Sequence, residues 1–184
     1  MKVNLFTSAR PFGNTQNNNK LTNIYEDTGD IKKNEEHKSL FQGLKIMEQG
    51  EIYTEHMGNY PVINLTFKSA KQPGFESAYS KLRKAIADEF QRHQYILSYE
   101  KINEGDKKLF QKIADRKAEY DDYSGALEFL SKCLYQATEK KTVILIDEYD
   151  VPLENAYFRG FYEEMVDFIR SVFESALKTN EYLQ

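Results

Sequence analysis

The stretch Lys140-Lys141-Thr142-Val143-Ile144-Leu145-Ile146-Asp147-Glu148-Tyr149-Asp150 decides how this chain is read. Thr142 to Ile146 carry no charge, and all of them but Leu145 are β-branched. Two lysines precede the run and two acids follow it. An uncharged, β-branched run bounded by charge suits a strand buried on both faces, as in a parallel sheet. In open α/β sheets ligands lie beyond the carboxyl ends of the strands, so Asp147 and Glu148 emerge at the edge where chemistry is done. The plain alternative is a buried strand running into a polar loop, because acids are common where strands exit.

Composition bounds what surrounds that strand. The 184 residues suffice for a single domain, 1–184, with a real core. Hydrophobic residues make up 40% of the chain, with 13 Tyr and 12 Phe, which argues for a globular body over disorder. A net charge of −4 disfavours an extended nucleic-acid surface, while a local basic patch stays compatible with it. Cys133 stands alone, so no internal disulfide forms; with Leu130 and Leu134 beside it, it belongs to a helix core face. His37, His56 and His93 lack ligand spacing, so no histidine metal site is expected. No apolar run approaches the ~18 residues of a membrane span, and no signal peptide is seen. The expectation is a cytoplasmic protein without membrane contact.

Working outward, residues 2–7 alternate apolar and polar and predict a short strand. Ser8 to Thr15 form a turn-rich loop broken by Pro11 and Gly13. Asn14 to Asn23 are rich in Asn and predict no helix, since Asn competes for its own backbone. The charged residues 26–38 read as an exposed, mobile loop. Leu40, Phe41, Leu44 and Ile46 supply a small apolar patch. Tyr60 to Phe67 predict a second core strand, with Pro61 at its tolerated first position. Phe75, Tyr79, Leu82, Ile86 and Phe90 form one stripe of an amphipathic helix. Asn103 and Asp106 make a capping pair for a helix bearing Leu109, Phe110 and Ile113. Asp121, Asp122 and Ser124 start another, carrying Leu127, Leu130 and Leu134. Pro152 marks a turn, and Phe158, Phe161, Met165, Phe168, Ile169, Val172, Phe173 and Ala176 run through one long terminal helix. No repeat or linker interrupts the chain.

An apolar strand ending in Asp-Glu is the Walker B arrangement of P-loop ATPases, where the Asp holds the Mg²⁺ shell and the Glu polarises the attacking water. The stretch from Ile144 to Tyr157 resembles the bacterial AAA-ATPase-like family, as do Glu163 to Arg170 and Ala176 to Asn180. The likeness continues weakly through His56-Met57-Gly58-Asn59-Tyr60-Pro61-Val62 to Leu5-Phe6-Thr7. The resemblance implies an α/β fold: an incomplete P-loop-NTPase-like parallel sheet of about three strands, with helices dominant. In that family the ATPase domain is often followed by a restriction-endonuclease-like domain. Asp147 and Glu148 are the catalytic candidates it implies, with Asp147 holding Mg²⁺.

The same resemblance exposes departures. The family's phosphate loop reads like Arg-Pro-Arg-Arg-Phe-Gly-Lys-Thr; here the corresponding stretch is Ser8-Ala9-Arg10-Pro11-Phe12-Gly13-Asn14-Thr15. Gly13, Asn14 and Thr15 mark a degenerate nucleotide-binding loop in which Asn14 replaces the lysine that meets the β/γ-phosphates. The helix expected after the loop is replaced by Asn17-Asn18-Asn19, so 8–38 read as degenerate loop and mobile segment. The family continues past Leu183 into a strand with a polar sensor residue and a further strand, which implies a truncated domain. Residues 2–7 then re-pair, hang loosely, or accept a partner chain, a homo-oligomer through an unpaired strand edge included. The favoured expectation is a pseudoenzyme without ATP hydrolysis that works by protein binding. One alternative is a weak Mg-dependent ATPase using Asp147 and Glu148, with Thr15 completing the metal shell. Another is a small inhibitor or decoy of a host nucleoprotein machine, as anti-CRISPR proteins are. No cofactor is assigned apart from Mg-ATP in the alternative.

Overall fold

Val62–Thr66 (β1) and Val143–Asp147 (β2) lie side by side in a computed structural model that describes residues 14–28, 30–43, 45–48, 50, 54–178 and 180–184. They run parallel, in register from Val62 against Val143 to Thr66 against Asp147. The Val143 N–H donates to the Pro61 carbonyl, and the Phe67 N–H to the Asp147 carbonyl. Odd-numbered residues of β2 therefore face β1, and Thr142, Ile144 and Ile146 face the other edge. There the Thr142 N–H donates to the Tyr182 carbonyl and its own carbonyl accepts from Gln184 N–H, so residues 182–184 start a third parallel line. The strand expected at 2–7 lies outside the described residues.

The outer edge of β1 is occupied by side chains. The Asn64 N–H donates to the Glu89 carboxylate at 2.8 Å. The Val62 carbonyl accepts from Arg92 and lies 3.0 Å from the His93 ring. These residues belong to Phe75–Arg92 (α3) and its C-cap. Burial pushes the Glu89 carboxyl up, but hydrogen bonds from His93 and Arg92 overcome this and hold it below the usual carboxylate range. Arg92 also pairs with Glu26, which ties the amino-terminal segment to the core.

Helices dominate the rest. The stripe of α3 is buried as its spacing requires: Tyr79, Leu82, Ile86 and Phe90 all face inward. Glu104–Ala114 (α4) starts at Asn103, whose side chain accepts from Asp106 N–H at 2.9 Å. Tyr120–Ser124 (α5) carries a capping box between Glu119 and Asp122. Ala126–Thr138 (α6) buries Leu127, Leu130, Cys133 and Leu134. The Cys133 thiol, without exposure, is pushed up to about 12 by burial, as suits a structural cysteine. Val151–Arg159 (α7) and Tyr162–Leu177 (α8) complete the layer, and the Tyr79 and Phe168 rings meet edge to face at 4.9 Å. The class is α/β with helices dominant, and an incomplete parallel sheet, as expected.

Four local expectations change. Asn14–Tyr25 (α1) is a helix despite its Asn content. It packs against both strands with Thr22 buried, and tertiary contact overrides weak propensity. Ile31–Ser39 (α2) replaces the expected loop. Asp30 caps it, accepting from Lys32 and Lys33 N–H, while Asn34 bridges to Thr28 and Asp27. The terminal helix is two helices, because Gly160 turns left-handed at φ 82° between α7 and α8. Pro152 sits in the first turn of α7, where its missing N–H costs nothing. Finally, β2 is less enclosed than expected: Val143 to Ile146 are half-buried and only Asp147 is buried. Of the small apolar patch, Phe41 is buried and Leu40 is exposed; Leu44 lies outside the described residues.

Candidate functional site

β2 delivers Asp147 to the carboxyl edge of the sheet, where the chain must leave strand geometry. It does so at Glu148, which adopts a left-handed φ of 54°. For a residue with a Cβ that conformation costs about 1–2 kcal/mol. The Glu148 carbonyl then accepts from Val151 N–H at 3.2 Å and α7 begins. Strain of this kind persists where the surroundings over-determine it and clusters at functional sites.

Asp147 is only 7% exposed, and its Oδ2 has no hydrogen-bond partner among the described residues. A buried polar atom without a partner calls for a physical explanation. A hard divalent cation supplies one, since carboxylate oxygen is its preferred ligand. Among the described residues no three His, Cys, Asp or Glu side chains converge on one point. A cation here would thus rest on Asp147, with water and phosphate oxygens completing its shell, the usual habit of Mg²⁺. His93 is spent on Val62 and Glu89, and His56 lies 2.6 Å from the Tyr60 hydroxyl.

Beside Glu148 opens a cleft of about 590 Å³ between α7 and the turn that follows β1. Lys68, Lys71 and Arg159 line it together with Asn155. The Asn155 side-chain amide donates to the Gln72 carbonyl at 2.6 Å, which pins α7 to that turn. Sequence reasoning missed these residues. The signal was present, because Lys68 and Lys71 follow a predicted strand and fall at the same carboxyl edge as Asp147.

The helix that opens at Asn14 approaches the same edge. The end of α1 is fixed at the opposite, amino edge, where Tyr60 N–H donates to Tyr25 and Gly58 N–H to Ile24. Its 12 residues span about 18 Å, close to the length of a five-residue strand. Laid against β1 and β2, it carries its first turn, Asn14 and Thr15, toward the level of Asp147. Free N–H groups and the helix dipole favour an anion at such a turn.

A family model described as a predicted AAA-ATPase matches residues 1–184, the whole chain. The chain belongs to the AAA-ATPase-like family. No curated protein and no solved structure matches it. Of the residues singled out by likeness to AAA-ATPase-like proteins, Asp147 and Glu148 come together at the carboxyl edge. Asn14 and Thr15 open α1, and Gly13 lies outside the described residues. Among the described residues no helix is long and apolar enough to cross a membrane.

Proposed function

We propose that this AAA-ATPase-like chain takes up a Mg²⁺-nucleotide at the acidic end of β2 and does not turn it over, so that its output is binding to another macromolecule. The buried Oδ2 of Asp147, without a hydrogen-bond partner among the described residues, carries the proposal. Bound there, the cation would neutralise phosphate charge. Asp147 would hold it, and the first turn of α1 would face the phosphates. Glu148 stands next to Asp147, where a base for water belongs. What is lacking is the loop cation, replaced by Asn14. Losing one charge-assisted hydrogen bond of about 1.5–3 kcal/mol weakens binding roughly ten- to a hundredfold. It also removes charge stabilisation from the transition state. The second reading, a weak Mg-dependent ATPase, is favoured by the strained placement of Glu148 beside the cleft.

Thermal melting with Mg²⁺ alone and with MgATP tests this, alongside phosphate release. At ten times the dissociation constant a ligand stabilises by about 1.4 kcal/mol, a rise of about 3–6 °C for a chain of this size. The rise should vanish in Asp147→Ala, and phosphate release should not exceed that variant's. No rise at any ligand concentration overturns the site. Sustained release that Asp147→Ala abolishes overturns the non-hydrolysing assignment and establishes the second reading.

A further inference from the structure

Nine lysines and arginines among the described residues are held in ion pairs. Lys84 pairs with Asp88, Lys101 with Glu139, Lys132 with Asp106, Lys140 with Asp27 and Lys178 with Glu174. Lys68, Lys71 and Arg159 are exposed, converge on one cleft, and make no ion pair among the described residues. The carboxylates in that cleft, Glu148 and Glu154, each already hold an interaction of their own. A second cleft of about 500 Å³, on the outer side of β1, adjoins the first through the turn at 66–71 and adds Lys81, which makes no ion pair among the described residues. Its own carboxylates are used, Glu89 on Asn64 and Arg92, and Asp88 on Lys84. A track of four cations results, none of them ion-paired among the described residues.

Aromatic rings stand at one end of this track. Phe158 lines the first cleft and is 76% exposed. Tyr157, 69% exposed, meets it edge-on at 5.6 Å and meets Tyr162 edge-on at 5.9 Å. Holding such rings in water forgoes burial worth about 25 cal/mol per Å². A peptide of acidic residues alone would satisfy the cations and leave the rings wet. A chain of phosphates bearing flat bases satisfies both at once.

We propose that this flank binds a single-stranded polynucleotide, with phosphates along Lys81, Lys68, Lys71 and Arg159 and bases stacked on Phe158 and Tyr157. The net charge of −4 allows no long-range pull, so binding is local and steeply salt-dependent.

Fluorescence anisotropy with a labelled oligothymidylate of about 15 nucleotides tests the assignment. With three to four phosphates neutralised, the log–log salt slope should be about −2 to −3. Lys68→Glu/Lys71→Glu should weaken binding more than tenfold and flatten the slope. Phe158→Ala should weaken it about tenfold and leave the slope alone. These positions are exposed, so the melting temperature should stay at the wild-type value. Asp147→Asn should leave oligonucleotide affinity unchanged, which separates this surface from the metal site. The proposal is overturned by absence of binding at low salt, by full affinity in either variant, or by a polyglutamate peptide that competes as well as the oligonucleotide.

Discussion

Replacing Asp147 by Asn should make the metal-free protein more stable and the metal-loaded protein less so. The residue is 7% exposed and one carboxylate oxygen lacks a partner among the described residues, so without a cation it is a buried polar atom that has given up its hydration. Such an atom costs about 1–3 kcal/mol, more when charged. Asn keeps the shape and removes the charge, while its amide still pays part of the desolvation. A net gain of about 1–2 kcal/mol is expected in chelator, a rise of about 2–8 °C in melting temperature for a chain of this length. With Mg²⁺ at ten times its dissociation constant the wild type gains about 1.4 kcal/mol and the variant nothing, so the two melting curves approach or cross. Circular dichroism melts in EDTA and in graded Mg²⁺ measure both arms. An Asp147→Asn protein that is destabilised by 1 kcal/mol or more in EDTA would refute the reasoning, because the carboxylate would then be holding the fold together.

Asn14→Lys places a cation at the first turn of α1, and on the proposed function MgATP affinity by calorimetry should rise roughly ten- to a hundredfold. Arg92→Ala strips Glu26 and Glu89, each 6% exposed, of their counter-charge. Urea unfolding should show a loss of about 3 kcal/mol, the low end of the range because Arg92 itself is 36% exposed, and Glu26→Gln/Glu89→Gln/Arg92→Met should recover most of it. The Cys133 thiol is raised from 9.0 to about 12 by burial, so its contribution is intact below pH 9.0 and is lost as pH climbs toward 12. Stability should fall by about 1.4 kcal/mol per pH unit across that window, and Cys133→Ala should flatten the slope in alkaline melts.

Periodicity exposed the elements whose own residues carry the cause. The α3 stripe, the Asn103 cap and both strands follow from spacing alone, and so does the arrival of Asp147 at the carboxyl edge. What escaped depends on partners distant in sequence or on geometry without a pattern. α1 is helical because two strands underlie it, which its Asn-rich sequence does not announce. α2 has no apolar face and rests on Asp30, Asn34 and Thr28 bonding to one another. Gly160 was visible as a helix breaker, but the continuous apolar stripe on either side hid the break. The cleft beside Glu148 needed Lys68 and Arg159 side by side, and ninety residues separate them in the chain.

Because Glu89, Arg92 and His93 already occupy the rim of β1, the sheet can lengthen sideways in one direction only. A further strand, whichever polypeptide supplies it, must join on the flank of β2 where Thr142 meets residues 182–184. Ribbon growth from both flanks, the route by which exposed sheets build fibres, is closed to this molecule as long as the arginine stays in place. Loosening that blocked rim should therefore show itself first in concentration-dependent aggregation, before any change at the acidic end.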